Sequence, residues 1–157
     1  PIEAALFDSD GIVQDVDETY TFEKLDLFKG CTKPVAGEGK GTIHSVDETM
    51  QNTNAARKNA KLANVSVDVK KYGLDDLDVK FDEGSIDVLI FHVTSKDEDR
   101  INEMYYQASY ILKSQGRLMF IGRESWDVSI SDKFNFVEKE DLAKGDSIHR
   151  IWILEKK

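Results

Sequence analysis

The chain has 157 residues, 40% of them hydrophobic and 10% aromatic, the size and composition of one domain (1–157) with its own core. Thirty acids against 21 bases leave a net charge of −9 with no basic cluster to offset it, which disfavours direct nucleic-acid binding, because counterion release needs a positive stripe. No run approaches about 18 consecutive apolar residues, so a helical membrane span is excluded. Pro1-Ile2-Glu3 shows no basic segment leading into an apolar one, so no signal peptide is expected here. The single cysteine, Cys31, cannot make an internal disulfide or a thiolate zinc cage, which fits a reducing, cytoplasmic setting.

In chain order, Leu25-Asp26-Leu27-Phe28 reads as a strand and the glycine-rich stretch Pro34 to Gly41 as a loop. Thr42 to Val46 is a second strand. Met50 to Leu62, rich in alanine, asparagine and lysine, is a helix, with Asp47 or Thr49 as its cap. Val65-Ser66-Val67-Asp68-Val69 alternates as a half-buried strand does.

Ile86 to Val93 is almost continuously apolar and β-branched, the pattern of a strand covered on both faces. From about Asp97 to Leu112, apolar residues recur at three- and four-residue spacing and predict a helix. Gly116 is expected to close it in the left-handed conformation. Arg117 to Ile121 is a buried strand. Phe134 to Val137 and Ile148 to Leu154 form an antiparallel hairpin across Lys144-Gly145-Asp146. Strands alternating with helices imply parallel pairing through right-handed crossovers. The expected fold is a doubly wound, mostly parallel α/β sheet with a C-terminal antiparallel hairpin, a class that binds ligands at the carboxyl ends of its strands.

Phe81-Asp82-Glu83-Gly84-Ser85-Ile86-Asp87-Val88-Leu89 resembles the "F-x-D-G-S-F-D-V-V" passage into the fourth strand of class I S-adenosylmethionine-dependent methyltransferases. Ala108 to Leu118 resembles the same family's "R-V-L-K-P-G-G-R-L" passage into the fifth, and the hairpin ending in Arg150 to Leu154 is also typical of it. The resemblance implies S-adenosylmethionine as cofactor. Lys24 to Pro34 is similar to the family's first motif, so Asp26 and Gly30 would line the turn against the methionine part. Asp47, ending the second strand, would hold the ribose; a helix cap is its other reading. Asp75, after the third strand, would read the adenine amino group, or else belong to an acidic surface loop. Phe91 and His92 end the fourth strand. Phe91 would line the cofactor, and His92, as a neutral imidazole, would take a proton from the methyl acceptor.

With little chain left for a substrate-recognition insert, the acceptor implied is a small molecule or one presented by a partner protein. Only Gly30 of the family's usual glycines is in register, and the helix expected after that turn is missing. Those departures point to an alternative, a methyltransferase-like interaction domain that no longer binds cofactor. A second alternative comes from Ala4 to Val13, which resembles the first motif of haloacid-dehalogenase-type phosphatases. Asp8 would be its nucleophile and Asp10 its general acid/base, both holding magnesium, with Thr94 or Ser95 on phosphate and Asp146 in the last acidic motif. His44, His92 and His149 sit on separate strands without metal-ligand spacing, so no metal site is expected outside the phosphatase reading. Trp126 and Trp152 read as packing residues.

Overall fold

The computed structural model of the protein describes residues 41–63, 65–125, 128–144 and 147–157, together with Ile2, Ala4 and Ala5. The expectations for Asp8, Asp10, Asp26, Gly30, Cys31, Trp126 and Asp146 lie outside the described residues. The chain divides into two compact units, Pro1–Tyr72 and Gly73–Lys157. Among the described residues no helix is long and apolar enough to cross a membrane.

In the first unit, strand β1 (His44–Asp47) leads to helix α1 (Met50–Leu62) and returns as β2 (Asp68–Lys71). β1 and β2 pair in parallel, from His44 opposite Asp68 to Asp47 opposite Lys71. Alanines, lysines and Leu62 favour the helix intrinsically. It begins at Thr49, whose side chain accepts from Asn52 N, and its buried face is Thr53 and Ala60. Arg57 donates from Nη2 to the Val69 carbonyl at 2.9 Å, tying α1 to β2. The alternating run 65–69 becomes strand only from Asp68. Val65 N is still bonded to the Ala60 carbonyl as the chain leaves the helix, and the ladder opens with Asp68 N on the Ile43 carbonyl.

The second unit opens with a 3-10 turn (Leu74–Asp76) and a one-turn helix α2 (Leu77–Lys80). There follow β3 (Ile86–His92), helix α3 (Glu98–Ile111), β4 (Leu112–Arg123), β5 (Phe134–Lys144) and β6 (Ser147–Lys156). The sheet order is β3-β4-β6-β5. β3 and β4 are parallel, connected by α3, while β6 runs antiparallel to both β4 and β5. The expected hairpin is therefore present, with its last strand inserted into the sheet's interior. α3 lays Met104, Tyr105, Ala108 and Ile111 inward. They join a core with Val93, Leu112, Leu118, Phe120, Phe134, Trp152 and Leu154. Tyr105 meets Phe120 edge-on at 5.1 Å between ring centroids.

Three expectations need correction. Among the described residues only one face of β3 is covered: Leu89 and Phe91 pack on the core, whereas Val88 and Ile90 are 48% and 55% exposed. Strand alternation sends neighbours to opposite faces, and an apolar run does not by itself specify a second cover. At the α3–β4 junction the left-handed residue is Gln115, with φ 63°, not Gly116. Finally, β5 extends past Val137 to Lys144, through the charged run Glu138 to Asp141. That charged stretch is tolerated because β5 is the edge strand, exposing one side to water.

Candidate functional site

The carboxyl end of β1 delivers Asp47. Its Oδ1 accepts from Thr49 N and from Thr49 Oγ1, both at 2.8 Å, and Oδ2 accepts from Asn52 Nδ2 at 2.9 Å. Burial pushes the Asp47 carboxyl up, but the three hydrogen bonds from Thr49 and Asn52 outweigh it and hold the pKa below its ordinary value. The group is thus an ionised, oriented carboxylate. Two carboxylate oxygens offer about four acceptor directions; the described residues fill three, leaving one on Oδ2 that none of them fills. Of the two candidate caps, Thr49 is the N-cap of α1, and Asp47 is braced against it. The bracing Asn52 was not visible in the sequence as a site residue, because nothing short of the helix start fixes its direction.

In the second unit, Asp75 lies exposed in the 3-10 turn. Its neighbour Asp76 makes the turn's closing bond, accepting at Oδ2 from Gly73 N at 3.1 Å. Phe91 stacks on Phe120 with centroids 6.0 Å apart and 22° between planes, so its ring belongs to the core side of β3. His92 closes β3, exposed and opposite Ile121 of β4.

Beyond it, Val93 N bonds the Ile121 carbonyl at 2.8 Å, and the chain emerges as the exposed stretch Thr94 to Asp97. Lys96 Nζ reaches the Ser125 carbonyl at 3.3 Å, joining the segments that leave β3 and β4. Arg150, at the start of β6, grips Asp141 through Nε at 2.6 Å and Nη2 at 2.8 Å, and donates from Nη1 to the Glu124 carbonyl at 3.0 Å. One rim of this sheet therefore gathers His92, Lys96, Glu124 and Arg150. Lys96 and Arg150 escaped the sequence reading because only the β3-β4-β6 order brings them together.

Among the described residues no three His, Cys, Asp or Glu side chains gather as a metal site. His44 Nδ1 lies 3.0 Å from Asp68 Oδ2, as a cross-strand pair. Thr94 and Ser95 are exposed. β6 occupies the stretch after Asp146 where the phosphatase resemblance requires a helix, so the fold departs from that alternative.

No protein-family model and no curated protein sequence matches the chain. Solved structures do. TrmN from Thermus thermophilus superposes with a TM-score of 0.60 at 16% identity, over 74% of this chain and 36% of that one; the chain thus spans about a third of TrmN. An rRNA methylase from Streptococcus thermophilus gives 0.57 at 15% identity, over 73% of each chain. The cyclase SpnF gives 0.58 at 11% identity, over 76% of this chain and 67% of that one. At these identities the likeness is one of fold, and the fold is that of the class I S-adenosylmethionine-dependent methyltransferases.

Proposed function

Proceeding from a class I methyltransferase fold, we propose that the protein binds S-adenosylmethionine and transfers its methyl group to a small molecule or to an acceptor presented by a partner protein. The observation that carries this reading is Asp47, an ionised carboxylate at the carboxyl end of a parallel strand with an acceptor direction that none of the described residues fills. A ribose hydroxyl donates into that direction with Asn52 in place, and a second does so when Asn52 turns away. Asp75 is the residue assigned to the adenine amino group, and the stretch after β3 to the acceptor. Asp26 and Gly30 are assigned to the methionine end, and Phe91 to the cofactor's side of the β3 end through its backbone.

When bound, the cofactor supplies an electrophilic methyl on a sulfonium. The protein's part is alignment and exclusion of water rather than strong acid–base chemistry. His92, exposed at the end of β3, is the group assigned to the acceptor's proton. The net charge of −9 supports a small or partner-held acceptor over a bare polynucleotide.

Calorimetric titration with S-adenosylmethionine and S-adenosylhomocysteine tests the proposal. Micromolar binding is expected, weakened about 10- to 100-fold in Asp47→Ala, the worth of a hydrogen bond to a charged group. Absence of heat up to millimolar ligand overturns it. A second reading, a domain of this fold that does not transfer methyl groups, is favoured by the likeness to a cyclase. It predicts no consumption of the methyl donor in the presence of any acceptor.

A further inference from the structure

Gln107 lies in α3 and is 1% exposed. An amide at that depth is costly unless both of its ends are paired. Both are. Oε1 accepts from Asp78 N at 2.7 Å, and Nε2 donates to Glu103 Oε1 at 2.8 Å. Asp78 is in the first turn of α2, where backbone N–H groups have no partner within the helix. The residue preceding α2, Asp76, makes no capping bond to it, because its carboxylate is committed to Gly73 N. The turn that carries Leu74 and Asp75 is therefore closed at one end by Asp76. At the other it is held by a side chain 29 residues further along.

A helix of four residues does not hold itself together in water, since isolated helices below about 12 residues are marginal. Packing alone would be served by leucine or methionine in the space Gln107 fills. The amide adds direction: it fixes where the exit of the turn lies relative to α3, and with it the path of the backbone bearing Asp75.

We propose that Gln107 is a positioning residue for base recognition. By holding the 73–78 turn it sets how strongly the protein prefers adenine over a base lacking the exocyclic amino group. The proposal rests on the reading that the protein binds S-adenosylmethionine with Asp75 at the adenine.

The experiment compares the affinities of S-adenosylhomocysteine and its inosine counterpart by calorimetry. The unaltered protein is expected to prefer the adenine form. In Gln107→Met that preference collapses by about tenfold, the worth of one well-made hydrogen bond, while the inosine form binds as before. In that background Asp75→Ala has no further effect, although alone it abolishes the preference. Should Gln107→Met fail to fold, the exchange of Glu103→Gln with Gln107→Glu decides, because residue 107 still offers an acceptor to Asp78 N and the bond between 103 and 107 re-forms with donor and acceptor exchanged. That exchange is expected to keep the preference, and its loss there overturns the proposal. Binding of neither ligand overturns the cofactor reading and this inference together. Binding without any preference, or a preference that survives Gln107→Met, overturns the role of Gln107 alone.

Discussion

Gln115 and Gly116 are adjacent, and the residue with the strained backbone is not the glycine. Gln115 holds φ at 63°, a conformation that costs a side-chain-bearing residue about 1–2 kcal/mol. Gly116 is kept for space. A β-carbon there would stand 2.9 Å from the Lys113 carbonyl oxygen and 3.2 Å from that of Asp87, both backbone atoms that cannot swing aside. Gln115→Gly is therefore expected to stabilise the protein by about 0.5–1 kcal/mol. Gly116→Ala is expected to destabilise it by about 1–3 kcal/mol. Urea unfolding of the two variants checks the pair, and the reverse ordering refutes this account of the junction.

Thr49 both caps α1 and braces Asp47. Thr49→Ala removes the side-chain cap, which costs about 1 kcal/mol. It also deletes the Oγ1 bond to Asp47 while leaving the one from the backbone N–H. The Asp47 pKa is expected to rise toward the ordinary carboxylate value, visible in a carboxyl titration by nuclear magnetic resonance. An unmoved pKa would show that Asn52 and the backbone suffice.

Burial pushes the Tyr105 phenol up to about 12, against a smaller opposing effect from the Ser131 backbone. In the unfolded chain the phenol ionises near about 10. The folded form therefore keeps its proton when the unfolded form has lost it. Its contribution to stability is whole below pH of about 10 and is lost as the pH rises through about 12. Tyr105→Phe is expected to flatten this alkaline loss in melting temperature; an identical decline in both proteins would contradict the assignment.

Asp141 has the opposite sign. The hydrogen-bonded Arg150 guanidinium holds its carboxyl below the ordinary value, burial opposes weakly, and the charges of Arg150 and Lys139 add to the lowering. Its contribution is present above the ordinary carboxylate range and disappears as the pH falls through the depressed value. Asp141→Asn is expected to be less stable near neutrality, with the gap closing in acid and narrowing in high salt. A gap independent of pH would mean that packing, not charge, is what the substitution removes.

Much of this architecture was legible because it rests on local chemistry. Met50–Leu62 is helical over the residues its composition indicates, and the hairpin follows from two apolar runs around a polar turn. Strand faces were not legible. The run Ile86 to Val93 reads as doubly buried, yet Val88 and Ile90 are exposed, since hydrophobicity does not encode which side a helix covers. The position of Asp47, at a strand end just before a helix cap, was legible because that junction is a sequence pattern. Gln107 was missed because its partners are set by tertiary packing: one glutamine on a helix resembles any other until Asp78 is brought beneath it.

The placement of β6 between β4 and β5 also dictates an order of assembly. As the polypeptide leaves the ribosome, β5 emerges before the strand that seats it, and β4 waits with one edge unzipped. Neither can complete its ladder until residues 147–156 arrive. A nascent chain stalled at the hairpin bend thus carries an open, sticky border that invites chaperones or neighbouring chains.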